Sequence, residues 1–255
     1  MKTSNKLLLS GFILLFLTFV SFLLYGKKFI TKGEIDHIQG NGIKGELILK
    51  ENFDSDTLYI TDSRDYYLDP TVNSIKVVGE ENVIPIFEAR NYRGLNIKRN
   101  DYSGLSTSME IKFIIGVKDK NNLTIIVKDD AYVKSTDQLN IETLNLEASD
   151  RSEVIIDNIG KTINVRAKYK TFLDITGDYE TANILGLGEF TFDAVDVSFD
   201  TLNLDLESRS YIKVKDAKVV KGVLQDNAKL RSVDSLVLDQ VKFYDNANHK
   251  IIEWD

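Results

Sequence analysis

Thr143-Leu144-Asn145, Thr162-Ile163-Asn164, Thr181-Ala182-Asn183 and Thr201-Leu202-Asn203 are four copies of one triplet in the C-terminal half of the chain. Successive copies lie 19, 19 and 20 residues apart. Periods of about 20 residues are typical of stacked supersecondary units rather than of one closed globule. The triplet therefore predicts a repetitive architecture in which neighbouring copies pack on one another.

Apolar and polar residues alternate around each triplet. Counted from the Thr, the first and third following positions are apolar, which gives Leu144/Leu146, Ile163/Val165, Ala182/Ile184 and Leu202/Leu204. A second arm repeats this alternation at the eleventh and thirteenth positions, which gives Val154/Ile156, Leu173/Ile175, Phe192/Ala194 and Ile212/Val214. A period of two is typical of half-buried strands and does not arise from amphipathic helices.

We interpret the repeat as an all-β parallel β-helix (β-solenoid) whose coils stack roughly 4.8 Å apart around one interior column. The frame extends upstream, where Asn122 takes the Thr position, and downstream, where Gly222 takes it in an irregular last coil. An antiparallel sandwich remains an alternative, because Thr176-Gly177-Asp178 and Gly186-Leu187-Gly188 could turn the chain.

The N-terminal segment that starts at Leu7 and ends at Tyr25 contains no charged residue. As a helix, a segment of this length would span about 28 Å, close to the hydrocarbon thickness of a bilayer. We predict one transmembrane helix, an uncleaved signal anchor that contacts the lipid bilayer and leaves the C-terminal domain in the periplasm or on the cell surface. A cleaved signal peptide is the alternative, although the segment lacks a small-residue exit site.

These features divide the chain into five parts. A short N-terminal tail (1–6) precedes the transmembrane anchor (7–25) and a glycine-containing juxtamembrane connector (26–50) that ends in a potential edge strand. The β-helix domain is expected over residues 51–248, and a C-terminal tail over 249–255.

Composition excludes several functional classes. The net charge is −7, with acidic and basic residues interspersed, so no basic face for nucleic acid is expected. The chain has no cysteine, which excludes disulfides and thiol chemistry. Its two histidines, His37 and His249, are too few for a multi-histidine metal site and argue against a His-dependent hydrolase. No cofactor or metal is predicted, and the oligomeric state is left open.

The Thr and Asn of each triplet alternate with the apolar positions and are therefore expected to point outward, in two ladders along one face. These residues are Thr143, Asn145, Thr162, Asn164, Thr181, Asn183, Thr201 and Asn203. One interpretation is structural, since stacked amides and hydroxyls hydrogen-bond along the axis and fix the register. The other is a flat polar face for a polysaccharide or a similar repeating ligand.

Acidic corner residues and recurring aromatic residues offer two further interpretations. The corner candidates are Asp150 and Arg151, Asp174 and Asp178, Asp193 and Asp196, and Arg209 and Asp216. They would suit a polysaccharide-cleaving enzyme only if two carboxyl groups converged, and they otherwise serve turn formation. The aromatic residues are Tyr169, Phe172, Phe190, Phe192 and Tyr211, which either fill the core or form a stripe that stacks on sugar rings.

The order of features resembles the head GIN domain family of auto-transporter adhesins, which is widespread in the Bacteroidota. The matching segments are Phe53-Asp54, Leu58-Tyr59-Ile60, the stretch 75–84, Leu95-Asn96-Ile97-Lys98 and the coils, together roughly residues 50–245. The resemblance implies a β-helix and an envelope location, and it carries over no catalytic residue. The family's small corner residues are replaced here by larger ones at Tyr169-Lys170 and Asp226-Asn227.

The leading functional hypothesis is therefore a membrane-anchored, non-enzymatic, adhesin-like module that binds a cell-surface carbohydrate or a protein. A rigid repeated face offers more contact area than a small globule does. A polysaccharide-processing enzyme and a structural envelope scaffold remain alternatives. An enzyme predicts carboxylates and an arginine converging in one groove, whereas a binding module predicts a broad face without such convergence.

Overall fold

The computed structural model describes residues 15–21, 38–91, 94–99, 104–118 and 120–252. Its strands are β1 (Ile38–Gln39), β2 (Lys44–Lys50), β3 (Thr57–Ile60), β4 (Asp65–Asp69), β5 (Ile75–Glu80), β6 (Phe87–Asn91), β7 (Leu95–Arg99), β8 (Leu105–Ser106), β9 (Lys112–Gly116), β10 (Asn122–Val127), β11 (Tyr132–Ser135), β12 (Thr143–Ala148), β13 (Glu153–Lys168), β14 (Thr171–Leu187), β15 (Phe190–Leu206), β16 (Ser210–Leu224), β17 (Lys229–Ser232), β18 (Leu238–Phe243) and β19 (Asn248–Ile251). A 3-10 helix covers Ile84–Ile86. The chain is therefore all-β over most of its described length.

The chain forms two compact units. The first comprises residues 1–39 and 101–106, and in it β1 pairs with β8 in parallel. Residues 15–21 are helical, and the rest of the predicted transmembrane segment, 7–14 and 22–25, lies outside the described residues. Within the described ranges, no helix has both the length and the apolar character needed to cross a membrane.

The second unit, residues 40–100 and 107–255, begins with a part in which strands pair in both directions. Strands β2 and β9 both pair antiparallel with β5, and β6 pairs antiparallel with β7. Strand β2 is the edge strand expected at the end of the connector. Its Lys50 belongs to the same sheet as the coils, so this sheet starts upstream of residue 51. Phe113 of β9 stacks on Tyr66 of β4, with ring centroids 5.2 Å apart.

From β10 to β19 every strand pairing between the described residues is parallel, as a β-solenoid requires. The four threonines of the triplets pair in one register, Thr143 with Thr162, Thr162 with Thr181 and Thr181 with Thr201. The four asparagines do the same. The stacking of coils of about 19 residues is thus confirmed, and the antiparallel sandwich is excluded for this region.

The coils share one interior. Leu146, Val165, Ile184 and Leu204 pair in successive coils and are 1–3% exposed. In the second arm, Leu173, Phe192 and Ile212 pair in the same way and are fully buried. Because adjacent coils stand about 4.8 Å apart, each of these side chains contacts its equivalents above and below. The hydrophobic column that results stabilises coils that could not fold singly.

Each coil turns at a short corner between its first and second arms. Four corners, Asp129/Asp130, Asp150/Arg151, Tyr169/Lys170 and Asp226/Asn227, have both residues in the left-handed region, with φ between 54° and 72°. The corners also bond along the stack, since the Asp130 amide donates to the Asp150 carbonyl at 3.0 Å. Even the larger residues Tyr169 and Lys170 therefore keep the tight corner.

The second arm of a coil continues into the first arm of the next coil without a break, so β13 to β16 are 15 to 17 residues long. The sequence predicts two short separate strands per coil instead. Thr176-Gly177-Asp178 accordingly lies inside β14 and does not form a hairpin turn. The chain bends between arms at register irregularities, such as the one between Ala194 and Ser198 of β15.

That irregularity explains a wrong prediction about the last coils. The sequence places Gly222 at the Thr position, whereas the structure pairs Thr201 with Val219 and Leu204 with Gly222. Ala194 pairs with Val214 but Ser198 pairs with Asp216, so β15 contains two more residues than β16 over this stretch. The following coil is therefore two residues shorter over this stretch, and a constant repeat length assigns its residues to the wrong positions.

The final coil consists of β18 and β19. Strand β19, Asn248–Ile251, pairs with β17, so regular pairing continues beyond residue 249, where the C-terminal tail is predicted to begin. Gln240, within β18, has a φ of 58°, and the pairing of β16 with β18 shifts register there. A bulge of this kind interrupts the open edge of a sheet and protects it from pairing with another chain.

Candidate functional site

The asparagines of the triplets form a continuous hydrogen-bonded ladder. The Asn164 amide donates to Asn145 Oδ1 at 2.8 Å, Asn183 donates to Asn164 Oδ1 at 2.7 Å, and Asn203 donates to Asn183 Oδ1 at 2.8 Å. The ladder continues upstream, where Asn145 Nδ2 donates to Thr124 Oγ1 at 3.3 Å. Identical amides stacked in register satisfy one another, and this fixes the alignment of neighbouring coils.

The threonines form a second, parallel column of half-buried side chains. No side-chain hydrogen bond between described residues involves the hydroxyls of Thr143, Thr162, Thr181 or Thr201. The axial bonds expected of this face are therefore made by the amides alone. A hydroxyl that makes no bond inside the protein is available to water or to a ligand.

Breaking the ladder in its middle should measure its contribution to stability. Replacing Asn183 by alanine leaves the Asn164 carbonyl oxygen without a donor and the Asn203 amide without an acceptor, both half-buried. We expect the free energy of unfolding to fall by about 1–3 kcal/mol. The control is Thr181→Ala, two residues earlier in the same strand, which should cost clearly less. Urea unfolding of both variants makes the comparison, and equal losses would contradict a stabilising ladder.

A shallow groove of about 430 Å³ lies along this polar face. It is lined by Asn164, Asn183 and Asn203 and by the neighbouring Leu185, Asp205 and Lys221. Lys221 pairs with Asn203, so a cation continues the line of asparagines. The face therefore combines a regular amide column with one charge of each sign.

The acidic candidates of the second arm stack on one another in successive coils and do not converge in one groove. Asp174 pairs in register with Asp193, and Lys213 lies 3.0 Å from the Asp193 carboxylate. Burial, followed by repulsion from Asp193 and Asp196, raises the pKa of Asp174. Asp174, Asp193 and Asp196 line neither the groove beside the asparagines nor any of three other grooves in the described part of the chain.

The corner candidates engage in ion pairs along the stack. Arg151 donates to Asp130 of the preceding coil through Nε and Nη2, at 2.5 and 2.6 Å, and not to its neighbour Asp150. Arg209 lies 3.5 Å from Glu189, also in the preceding coil. Both pairs are largely exposed, so each contributes little to stability. Among the described residues, no group of three potential metal-ligating side chains is present.

Sequence reasoning missed a carboxyl pair at the N-terminal end of the second unit. Asp65 of β4 pairs in register with Lys112 of β9, and Glu110 lies 2.8 Å from the Lys112 ammonium. A hydrogen bond with Glu110, then burial and repulsion by the same residue, raises the pKa of Asp65 to about 6. Only the pairing of β4 with β9 brings these acids together, because they are far apart in sequence.

The raised pKa of Asp65 predicts a defined pH dependence of stability. A carboxyl group with a folded-state pKa above its unfolded value favours folding most below pH 4 or so, and this contribution disappears as the pH rises through about 6. We therefore expect wild-type stability, relative to Asp65→Asn, to fall between about pH 4 and pH 6. Urea unfolding at several pH values measures the difference. In Glu110→Gln, NMR titration should show the pKa of Asp65 nearer its ordinary value, and an unchanged pKa would contradict the proposed cause.

The recurring aromatic residues divide between the core and the surface. Phe190 and Phe192 are 2% and 0% exposed and fill the interior. Tyr169 and Phe172 are 61% and 38% exposed, and Tyr211 is half-buried. Strand alternation explains the division among the strand residues, because adjacent residues of one strand point to opposite faces, and Tyr169 lies at a corner. Core filling is therefore correct for Phe190 and Phe192, and stacking of the exposed rings on sugars stays a prediction.

Phe172 and Tyr211 line a second and larger groove of about 930 Å³, on the corner and the second arm. We call it the corner groove and define it by Lys170, Phe172, Arg209, Tyr211 and Lys229. Glu189 and Thr191 also line it. The sequence marks only its aromatic residues, since Phe172 and Tyr211 belong to the recurring set, whereas its basic residues come from different coils at no constant interval.

Comparison with known proteins identifies the domain and its fold. Residues 55–234 match the family described as "Putative auto-transporter adhesin, head GIN domain". No curated protein matches the chain. A crystal structure of a putative adhesin from Bacteroides fragilis NCTC 9343 is similar with a TM-score of 0.66 and 15% identity, covering 84% of this chain and 100% of that one.

Two further crystal structures share this architecture. A putative adhesin from Parabacteroides merdae ATCC 43184 has a TM-score of 0.65 and 13% identity over 85% of this chain and 99% of that one. A putative lipid binding protein from Parabacteroides distasonis ATCC 8503 has a TM-score of 0.61 and 14% identity over 85% of this chain and all of that one. Identities this low establish a common fold and carry no ligand across.

Proposed function

Because the chain belongs to the head GIN domain family, we propose that it is a membrane-anchored, non-enzymatic module of the bacterial envelope that binds carbohydrate or protein in the manner of an adhesin. The observation that carries the proposal is the regular polar face along the stacked coils. Its amide ladder fixes the positions of the outward side chains over four coils. A ligand with repeating units could contact equivalent groups in successive coils.

We assign the ligand-binding face to the two outward ladders. The residues are Thr143, Asn145, Thr162, Asn164, Thr181, Asn183, Thr201 and Asn203. The amide ladder uses one donor of each bonded Asn, and an amide carries two donors and a carbonyl with two lone pairs. The remaining groups, together with the free threonine hydroxyls, suit the hydroxyl groups of a sugar or the backbone of an extended peptide.

The anchoring part of the proposal rests on residues 7–25. This uncharged segment is long enough to span a bilayer as a helix, and Lys2 and Lys6 precede it. With these lysines inside, the β-solenoid would face the periplasm or the outside of the cell. A rigid module tethered in this way would present its faces to ligands at the envelope.

The proposal favours binding over catalysis for a structural reason. A polysaccharide-cleaving site needs two carboxyl groups about 5–9.5 Å apart with a sugar between them. The stacked carboxylates of Asp174 and Asp193 line none of the four described grooves, and Asp193 is paired with Lys213. The stacking of these acids supports the binding proposal over the enzyme alternative.

The test is a ligand screen with the full-length chain in lipid nanodiscs. Neutral glycans, acidic glycans and extracts of envelope proteins are offered, and at least one class should be retained. Thr162→Lys and Thr181→Lys would obstruct the polar face without removing the asparagines, and they should weaken retention. Ser198→Lys, an exposed position on β15, adds the same charge elsewhere as a control. Failure to retain any glycan or protein would overturn the proposed function.

A further inference from the structure

The corner groove lies on a different part of the coil from the amide ladder. It runs along the start of β14, β15, β16 and β17 and includes the corners that precede these strands. Its volume of about 930 Å³ is roughly twice that of the groove beside the asparagines. It is thus large enough for several linked sugar rings or a short segment of another polymer.

Two outward aromatic side chains stand apart along this groove. Phe172 pairs in register with Thr191, and Thr191 pairs with Tyr211, so the two rings are two coils apart. With the spacing of parallel strands, this separation is about 10 Å. The small Thr191 between them leaves the floor open. Exposed aromatic rings separated by a small residue offer two flat apolar surfaces on which rings of a ligand can pack.

The charge of the groove is opposite to that of the chain. The protein carries a net charge of −7, yet the corner groove contains Lys170, Arg209 and Lys229 against the single acid Glu189. Glu189 is paired with Arg209 at 3.5 Å. No ion pair between described residues involves Lys170 or Lys229. Two cations without partners beside aromatic rings favour a ligand that has both negative charge and apolar faces.

We propose that the corner groove binds an acidic polysaccharide, whose sugar rings pack on Phe172 and Tyr211 while its anionic groups pair with Lys170 and Lys229. This inference rests on the proposed binding function and names a ligand class and a second surface for it. The anionic groups are carboxylates of uronic acids or sulfate esters, since both present oxygens that lysine ammonium groups bind.

Binding is measured by titrating the full-length chain in neutral-lipid nanodiscs with polygalacturonate, dextran sulfate and uncharged dextran. We expect at least one acidic polymer to bind, uncharged dextran to bind more weakly, and the affinity to fall as salt is raised. The double variant Lys170→Gln/Lys229→Gln should bind roughly five- to tenfold more weakly, because it loses two exposed ion pairs. Phe172→Ala should lose about fivefold through lost ring packing.

The matched control is Lys215→Gln/Lys242→Gln, which removes the same charge from exposed positions outside the groove and should leave affinity nearly unchanged. Circular dichroism confirms that the variants fold. Equal losses of affinity in the control and in the groove variant would show that only the net charge matters, and this would overturn the inference.

Other outcomes separate this inference from the proposed function. If neutral glycans or proteins bind but acidic polymers do not, the corner-groove assignment is wrong and the binding function stands. The same holds if an acidic polymer responds only to Thr162→Lys and Thr181→Lys. Binding to vesicles that contain anionic lipid, without binding to either polymer, would replace the glycan by a membrane surface. If nothing binds at all, both proposals fail.

Discussion

Replacing Phe192 by alanine should destabilise the protein by about 3–5 kcal/mol, the usual cost of removing a fully buried phenylalanine ring. Phe192 is 0% exposed and pairs with Leu173 in one coil and Ile212 in the next, both also fully buried. The resulting cavity would lie in the middle of the stack, where neighbouring coils are held by the same column. Urea or thermal unfolding followed by circular dichroism measures the loss.

The matched control for this prediction is Phe172→Ala. Phe172 precedes the equivalent buried position, Leu173, and its side chain is 38% exposed on the opposite face of the strand. Its truncation should cost about 1 kcal/mol or less, since little packing is lost. If both phenylalanines gave the same loss, the alternation of buried and exposed positions in this arm would be wrong.

Gly222→Ala should be the second severe substitution, with an expected loss of about 3–5 kcal/mol from backbone strain and overpacking together. Gly222 has a φ of 130°, and a Cβ atom there would lie 1.8 Å from the Leu204 carbonyl oxygen. That oxygen belongs to the backbone of the adjacent coil, so the clash is relieved only if the two coils separate.

Gly42→Ala provides the comparison, because Gly42 also has a positive φ, 73°, but no atom lies within 4 Å of the added Cβ. This variant has the conformational cost alone, about 1–2 kcal/mol. Denaturant unfolding of both variants separates conformational strain from the steric clash. A loss in Gly222→Ala no larger than that in Gly42→Ala would mean that the coils near Leu204 are not closely stacked.

Much of the coil architecture could be predicted because the interval of the sequence repeat is the length of one coil. A strand position that recurs every 19 residues, such as that of Leu146 and Val165, must face the same direction in each coil. The outward direction of Asn145 and its equivalents follows from the same alternation. Phe192 was assigned to the buried positions of the second arm by the same rule, and the exposed Phe172 follows it as the residue before the buried Leu173.

The remaining fold could not be predicted because no local pattern encodes it. The antiparallel pairing of β5 with β2 and β9 joins segments without a common period. The two additional residues of β15 before Ser198 are a local irregularity that shifts every later residue, including Gly222. Left-handed conformations at Tyr169 and Lys170 are disfavoured locally and are held by the stack.

The candidate sites show the same division. The amide ladder was accessible from the sequence, because identical residues at a constant interval meet when the coils stack. The corner groove was accessible only in part: Phe172 and Tyr211 belong to the recurring aromatic residues, whereas Lys170 and Lys229 follow no interval and join them only through the register of the strands. The pair formed by Asp65 and Glu110 depends likewise on the alignment of β4 with β9.

Cysteine crosslinking tests the stacking of successive coils most directly, because the chain contains no natural cysteine. Thr181 and Thr201 pair in adjacent coils, about 4.8 Å apart by strand spacing, although 20 residues separate them. Thr191 is only ten residues from Thr181 but lies beyond the corner, on the other arm of the coil. The part of β14 between Thr181 and that corner is extended and therefore separates the two residues by about 20 Å. A short thiol crosslinker should therefore join Thr181→Cys to Thr201→Cys and not to Thr191→Cys. Efficient crosslinking of the 181/191 pair, with none for 181/201, would contradict the stacked-coil account.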